Sequence, residues 1–165
     1  MSTSPPLLII GLGNPLLSDD GVGWHVTEEL RTLLTGEAQN NLKSSVEIDA
    51  LAGGGLSLME RLVGYDRAIL IDAMQSDYLV GTVSVFQLEQ LDNPFAGHLG
   101  STHETNLQTA LEIGRQLNAH LPQPGAISIV AVEAETIYDF SEQLSPPVAA
   151  AVPAAVQAVL TLIKD

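Results

Sequence analysis

An α/β fold is predicted by three features of the sequence, and it should be a three-layer α/β/α sandwich around a mostly parallel, twisted sheet of about five strands. Short apolar runs that end at glycine or aspartate, such as 7–10 and 67–73, are typical of buried parallel strands. Segments with apolar residues at helical spacing alternate with these runs. No repeat or linker divides the 165 residues, so we expect one domain over 1–165.

The elements can be assigned in order along the chain. The predicted strands are 7–10, 45–50, 67–73, 81–88 and 126–133. Residues 81–88 alternate apolar and polar side chains, which indicates an edge strand or an antiparallel one. Helices are predicted after Asp20, around 56–63, over 101–117 and from Ser145 onward. The third begins with a capping box of Ser101 and Glu104. In the last, Pro153 should kink the helix or locally break its hydrogen-bond ladder. Residues 91–100 are predicted to be irregular.

Composition and charge exclude several classes of function. The 20 acidic and 6 basic residues give a formal charge of −14, which repels nucleic acid and anionic membrane surfaces. The absence of cysteine excludes disulfides, thiolate zinc sites and a cysteine nucleophile. No secretory signal or apolar run of about 18 residues is apparent, so we expect a cytoplasmic protein with no membrane contact. A monomer is favoured, although the sequence does not determine the oligomeric state.

Two acids and a histidine fall where ligands gather in α/β folds. Asp20 follows the first predicted strand, Asp72 ends the third, and His103 lies at the start of a helix. Carboxylate oxygens and an imidazole nitrogen suit a divalent metal such as zinc or nickel. A helix N-terminus favours the neutral imidazole that a metal requires. Helix capping can account for Asp20, and a solvated position can account for His103. Asp72 follows a strongly apolar strand, where a carboxylate needs a partner.

Other acids and histidines are weaker candidates. Asp49 ends the second predicted strand before three glycines, and it is a candidate for substrate binding or for supporting the other acids. Asp19 is expected to face water or to cap the helix. His25 and His98 are reserve candidates, and His120 is expected at the surface.

The loop after the first strand resembles two phosphate or nucleic-acid motifs only in part. Gly11 and Gly13 are followed by Leu16 where a dinucleotide fingerprint needs a third glycine, and the next acids would meet the pyrophosphate. The stretch "IGLGNP" also resembles the opening of peptidyl-tRNA hydrolases, but the histidine of that pattern is missing here and the negative charge disfavours tRNA. Both alternatives are therefore disfavoured.

Four segments together resemble the hydrogenase maturation endopeptidase family: "GLGNPLLSDDGVG", "ILIDAM", "STHETNL" and "LSPPVAAAVPAAVQAVL". The resemblance covers nearly the whole chain, and it implies an α/β sandwich that removes a C-terminal extension from the large-subunit precursor of a [NiFe] hydrogenase once nickel is inserted. It maps the metal-contacting residues of the family onto Asp20, Asp72 and His103. The segment "DALAGGG" departs from the family pattern but keeps Asp49.

The resemblance also implies how the reaction is divided. Nickel would be presented by the precursor rather than bound permanently, and Asp20, Asp72 and Asp49 are the expected catalytic carboxylates. Sequence does not decide between water activated by a carboxylate and water polarised by the metal. Two other classes stay open: a binding module or chaperone for the precursor that cuts nothing, and a metallohydrolase with a resident metal that acts on a small molecule.

Overall fold

The structure is a computed structural model that describes residues 4–42, 44–92 and 102–165. Its five strands are β1 Ser4–Leu12, β2 Ser44–Leu51, β3 Arg67–Met74, β4 Val83–Gln87 and β5 Ile127–Glu133. Its α-helices are α1 Val22–Leu33, α2 Glu37–Asn40, α3 Leu56–Leu62, α4 Thr102–Gln116 and α5 Pro146–Lys164. Short 3-10 helices lie at Ser18–Gly21, Leu88–Asp92 and Pro124–Ala126. Ser101 of the predicted capping box and most of the predicted irregular segment fall outside the described residues.

The five strands form one sheet in the order β2-β1-β3-β5-β4. β1 pairs in parallel with β2 and β3, and β3 pairs in parallel with β5. β4 pairs with β5 in the antiparallel direction and forms an edge of the sheet. The predicted fold class is therefore confirmed, including the antiparallel edge strand. The carboxyl ends of β1, β3 and β5 share one edge of the sheet, which we call the carboxyl edge.

Helices cover both faces of the sheet. On one face, α1 and α5 pack their apolar residues against alternate side chains of β1, β3 and β5. On the other face, α3 and α4 pack against the intervening side chains of the same strands. The three central strands are thus buried on both sides, which explains why each reads as a continuous apolar run.

Close backbone packing sets the start of α1 against the carboxyl edge. A Cβ atom on Gly23 would lie 2.5 Å from the carbonyl oxygen of Ile71 and 2.8 Å from that of Leu12. A Cβ atom on Gly11 would lie 2.3 Å from the carbonyl oxygen of Gly23. Only glycine at 11 and 23 permits this approach, and it brings the first turn of α1 directly over β1 and β3.

The last helix continues through Pro153, where a kink or a local break in the hydrogen-bond ladder was predicted. Proline removes the hydrogen bond to the carbonyl of Ala149, and both residues are exposed, so water can bond that carbonyl instead. By length and mean hydropathy α5 could cross a membrane, which differs from the expectation of no such segment. Its apolar side chains instead belong to the core between the sheet and α1. Packing against the sheet accounts for its composition.

Candidate active site

Asp20 is fixed by the loop that follows β1. The backbone N–H of Asn14 donates to Oδ2 of Asp20 at 2.7 Å, and Asn14 Oδ1 accepts from the N–H of Leu16 at 2.9 Å. Gly13 has φ 107°, and a Cβ atom there would lie 1.9 Å from the carbonyl oxygen of Asp20. Trp24 Nε1 donates to the carbonyl of Gly13 at 2.8 Å. The glycine and the Asn-Pro turn of the motif therefore serve to fold the loop around Asp20.

Asp72 lies near the carboxyl end of β3, directly after the apolar run of that strand, and is only 2% exposed. Its Oδ1 accepts a hydrogen bond from the N–H of Ala73 at 2.9 Å. Its side chain points to the same side of β3 as those of Leu70 and Met74, two residues away on either side, so it lies on the face of the sheet covered by α3 and α4. A carboxylate in such a position loses most of its hydration, which is costly unless hydrogen bonds or opposite charges compensate for it.

The fold brings Asp20 and Asp72 to the same edge of the sheet. β1 and β3 are adjacent parallel strands, with Gly11 opposite Ile71. Asp20 lies in the 3-10 helix between β1 and α1, and that 3-10 helix contacts β3. The sequence prediction that both acids face one edge is in agreement with this geometry.

His103 is the second residue of α4, which packs on the same face of the sheet as Asp72. Its side chain lies outside the described part of the structure, as does His98. Among the side chains that the structure describes, no three histidine, aspartate or glutamate residues converge as a metal-binding group. The predicted triad of Asp20, Asp72 and His103 therefore stays a prediction, with two of its three members located.

Asp49 lies in a different environment, within an ion-pair cluster on β2 and α3. Arg61 Nε donates to Asp49 Oδ2 at 2.7 Å, and another Arg61 nitrogen donates to Glu47. The Tyr65 hydroxyl also donates to Glu47, and it accepts from Arg61 Nη1 at 3.2 Å. We call these four residues the Arg61 cluster. Its carboxylates are about half exposed.

The contacts within the Arg61 cluster favour its charged forms. For Asp49, partial burial by itself raises the pKa, but the hydrogen bonds from Arg61 and from the N–H of Ala50 outweigh it and lower the pKa. The Tyr65 hydrogen bond, together with Arg61, lowers the pKa of Glu47. Burial of Arg61 acts to lower its pKa, yet its hydrogen bonds with Asp49, Tyr65 and Glu47 raise it. All three groups are therefore held as ions at neutral pH.

The sheet register separates Asp49 from Asp72. Asp49 is opposite Ile10 of β1, and Ile10 is opposite Leu70 of β3. Asp72 is two residues beyond Leu70, so the two acids differ by about 10 Å across the sheet and about 7 Å along it. Along the strand direction, Asp49 thus lies two residues farther from the carboxyl edge than Asp72 does.

Asp19 is fully buried, whereas we expected it to face water or to cap a helix. Its carboxylate accepts hydrogen bonds from the N–H groups of Glu135, Thr136 and Ser145 at 2.7–3.2 Å, and from Ser145 Oγ at 2.8 Å. It therefore ties together both ends of the segment 135–145. These partners are 116–126 residues away in sequence, so no local signal could have revealed the role.

Glu133 at the end of β5 is a second buried acid that the sequence analysis missed. It is 2% exposed, and its carboxylate accepts from the N–H and from Oγ of Ser76, the latter at 2.8 Å. Its carbonyl accepts from the N–H of Gly81 at 2.8 Å. Glu133 therefore holds the segment 75–82 after β3, as Asp19 holds the segment 135–145 after β5. The position of Glu133 at a strand end, like that of Asp72, was a usable signal.

Two other histidines have side chains that the structure describes. His25 is exposed on α1. His120 is exposed, as predicted, and its Nε2 lies 2.8 Å from Asp66 Oδ1 in the turns at the opposite edge of the sheet.

Comparisons with known proteins identify the family. Residues 25–162 match the family model HycI, "Hydrogenase maturation protease". A putative hydrogenase maturation protease of Methanocaldococcus jannaschii is 32% identical over 96% of both chains. The hydrogenase 2 maturation protease of Escherichia coli is 28% identical, over 96% of this chain and 91% of that protein.

Solved structures agree in fold. The hydrogenase maturating endopeptidase HybD of E. coli superposes with a TM-score of 0.71 and 25% identity, covering 96% of this chain and 91% of that one. The [NiFe] hydrogenase maturation protease HybD of Thermococcus kodakarensis gives a TM-score of 0.69 and 26% identity, covering 96% and 99%. The predicted resemblance is confirmed: the chain belongs to the hydrogenase maturation protease family and is a peptidase.

Proposed function

We propose that this peptidase removes the C-terminal extension of a [NiFe] hydrogenase large-subunit precursor after nickel insertion, and that it recognises the nickel that the precursor carries. Membership of the hydrogenase maturation protease family supports the reaction. The observation that carries the choice of residues is the burial of Asp72 at the carboxyl edge, beside the loop that orders Asp20. The nickel is part of the substrate and leaves with the mature subunit. We propose a cytoplasmic location.

Asp20, Asp72 and His103 are the proposed contacts to the nickel. Two carboxylates are hard ligands and an imidazole is a borderline one, and without a thiolate this set binds nickel only modestly. Weak binding suits a metal that the protease must recognise and then release. Asp20 is held by the N–H of Asn14 and Asp72 by the N–H of Ala73, so both carboxylates are already oriented before the precursor arrives.

Hydrolysis is proposed to use a carboxylate as general base. Asp72 or Asp20 accepts a proton from water, the resulting hydroxide attacks the carbonyl carbon of the scissile peptide bond, and the same proton is delivered to the leaving amine. The products are the mature C-terminus and the free extension peptide. Asp49 is proposed to act in support, by orienting the substrate from within the Arg61 cluster.

Incubation with matched precursors tests nickel recognition. Purified large-subunit precursor is prepared with and without nickel and mixed with this protein, and mass spectrometry follows the loss of the extension. We expect cleavage of the nickel-loaded form only. Equal cleavage of both forms would contradict nickel recognition, and binding without any change in mass would favour a chaperone.

His103→Ala tests the third proposed contact to nickel. The substitution should abolish cleavage of the nickel-loaded precursor while the circular dichroism spectrum stays that of the wild type. His120→Ala is the matched control, because His120 is exposed in the turns at the opposite edge of the sheet. Wild-type cleavage by His103→Ala would remove His103 from the proposal, and a loss shared by both variants would have another cause.

A further inference from the structure

We propose that exposed apolar side chains on three loops of the carboxyl edge form a docking surface for the folded body of the precursor, separate from the acids that cut its tail. This inference rests on the proposed function. The docking surface consists of Leu16 after β1, Tyr78 and Leu79 after β3, and Tyr138 and Phe140 after β5. Leu79 is 85% exposed, Phe140 82%, Tyr138 79% and Tyr78 63%.

Such exposure is unusual because it is concentrated in large side chains. The described part of the chain contains six aromatic residues, and the three that are mostly exposed all lie on these loops. Single exposed leucines are ordinary, but several exposed tyrosine, phenylalanine and leucine residues around one site indicate an interaction surface. Tyrosine and phenylalanine are also enriched at protein interfaces.

The loops are held in place although their tips are exposed. Asp19 bonds both ends of the segment that carries Tyr138 and Phe140, and Glu133 bonds the start of the segment that carries Tyr78 and Leu79. The N–H of Ser141 donates to the carbonyl of Leu16 at 2.9 Å, which joins the loops after β1 and β5. A surface ordered before binding loses less conformational entropy when a partner docks.

Charge and position identify the partner. Exposed acids alternate with the apolar residues: Asp77 precedes Tyr78, and Asp139 separates Tyr138 from Phe140. The docking surface therefore complements an apolar patch that carries lysine or arginine side chains. It also lies at the same edge as Asp20 and Asp72, so a protein whose tail reaches those acids must pass over it. The folded precursor meets the condition of position, and the charge of the docking surface predicts a basic, apolar patch on it.

The test compares steady-state cleavage of nickel-loaded precursor by two double variants. Tyr138→Ser with Phe140→Ser should raise KM by about tenfold or more and leave kcat within about twofold, because the lost contacts are distant from the scissile bond. Val63→Ser with Leu117→Ser is the matched control. These residues are 44% and 74% exposed and lie next to the turns that lead into β3 and β5 at the opposite edge. The control should keep the wild-type KM.

A charge variant provides an independent test that does not remove apolar contacts. Asp77→Lys with Asp139→Lys should raise KM and weaken its dependence on salt, because the attraction for a basic patch becomes repulsion. Thermal unfolding shows which of the two double variants fold. An unchanged KM in every one of them that folds would overturn the docking surface.

Two further outcomes separate the hypotheses. If wild-type protein cleaves no precursor, the proposed function fails, whatever the variants do. If light scattering shows a dimer that the Tyr138→Ser, Phe140→Ser variant loses, the surface joins two copies of this chain and the proposal of precursor docking is wrong.

Discussion

Asp49 and Asp72 lie near the ends of β2 and β3, two strands that follow one another in the sequence and have similar patterns. The structure nevertheless gives the two acids opposite environments. Asp72 is buried at the carboxyl edge, and its described hydrogen bond comes from the N–H of Ala73. Asp49 is about half exposed, two residues farther from that edge, and Arg61 neutralises it. Arg61 holds the Asp49 carboxylate in its charged form and lowers its pKa, whereas the Asp72 carboxylate is buried beside the loop that orders Asp20. The residues packed around a carboxylate, rather than its position near the end of a strand, therefore determine its chemical role.

Asp72→Asn should produce the largest effect. The substitution keeps the shape of the side chain but removes the base, so we expect kcat for nickel-loaded precursor to fall by about 100-fold or more. The free energy of unfolding should change little, because the amide oxygen can still accept the hydrogen bond from the N–H of Ala73. Mass spectrometry of the cleaved tail and urea unfolding measure the two quantities. Near-normal kcat in Asp72→Asn would exclude Asp72 as the base and leave Asp20 in that role.

Asp19→Asn should chiefly affect stability. An amide can accept from some of the same donors, but its NH2 group would then face the N–H of Ser145, which also donates. Loss of charge-assisted hydrogen bonds to the fully buried Asp19 carboxylate should lower the free energy of unfolding by about 2–4 kcal/mol. Urea denaturation measures this. Asp139→Asn, exposed in the same segment, is the control and should change the value by less than about 0.5 kcal/mol. Equal stability of both variants would show that Asp19 is not the anchor.

Asp49→Asn sharpens the contrast with Asp72. If Asp49 only orients the substrate from the Arg61 cluster, the asparagine variant should lose about tenfold or less in kcat/KM, with most of the change in KM. Kinetics on nickel-loaded precursor gives both constants. A fall in kcat as large as that of Asp72→Asn would make Asp49 directly catalytic, in spite of its ion pair.

The predictable part of the molecule is that in which local pattern determines structure. The runs of β1, β3 and β5 and the alternation of β4 were sufficient for the strands, their burial and the antiparallel edge. Asp20 and Asp72 could be located because parallel neighbours share a carboxyl edge. The hydrogen bonds between Asp19 and Ser145 could not be predicted, because these residues are 126 positions apart in the sequence. The pairing of Asp49 with Arg61 also depends on where α3 packs. Pro153 is tolerated because it and Ala149, whose carbonyl loses its partner in the helix, are both exposed residues.

The Arg61 cluster should make the smallest contribution, and pH should reveal it. The pKa values of Asp49 and Glu47 are lower in the fold than their ordinary values of 3.8 and 4.5. A lowered carboxyl pKa contributes stability that is present above the ordinary pKa and is lost as pH falls through the folded value. Arg61→Gln should therefore cost about 0.5–1 kcal/mol at pH 7, a small value because the carboxylates are half exposed.

The same variant should approach wild-type stability as the pH falls below the ordinary carboxyl values of 3.8 and 4.5, because the carboxylates that Arg61 pairs with then take up protons. Urea unfolding across this range measures the difference. Glu28→Gln, which breaks the exposed pair of Glu28 with Arg31, is the control, and its effect should stay within about 0.5 kcal/mol at neutral pH. A cost for Arg61→Gln that persists undiminished at pH 3 would mean that Arg61 stabilises the fold by packing over the Tyr65 ring, 5.6 Å from its centroid, rather than by pairing with Asp49 and Glu47.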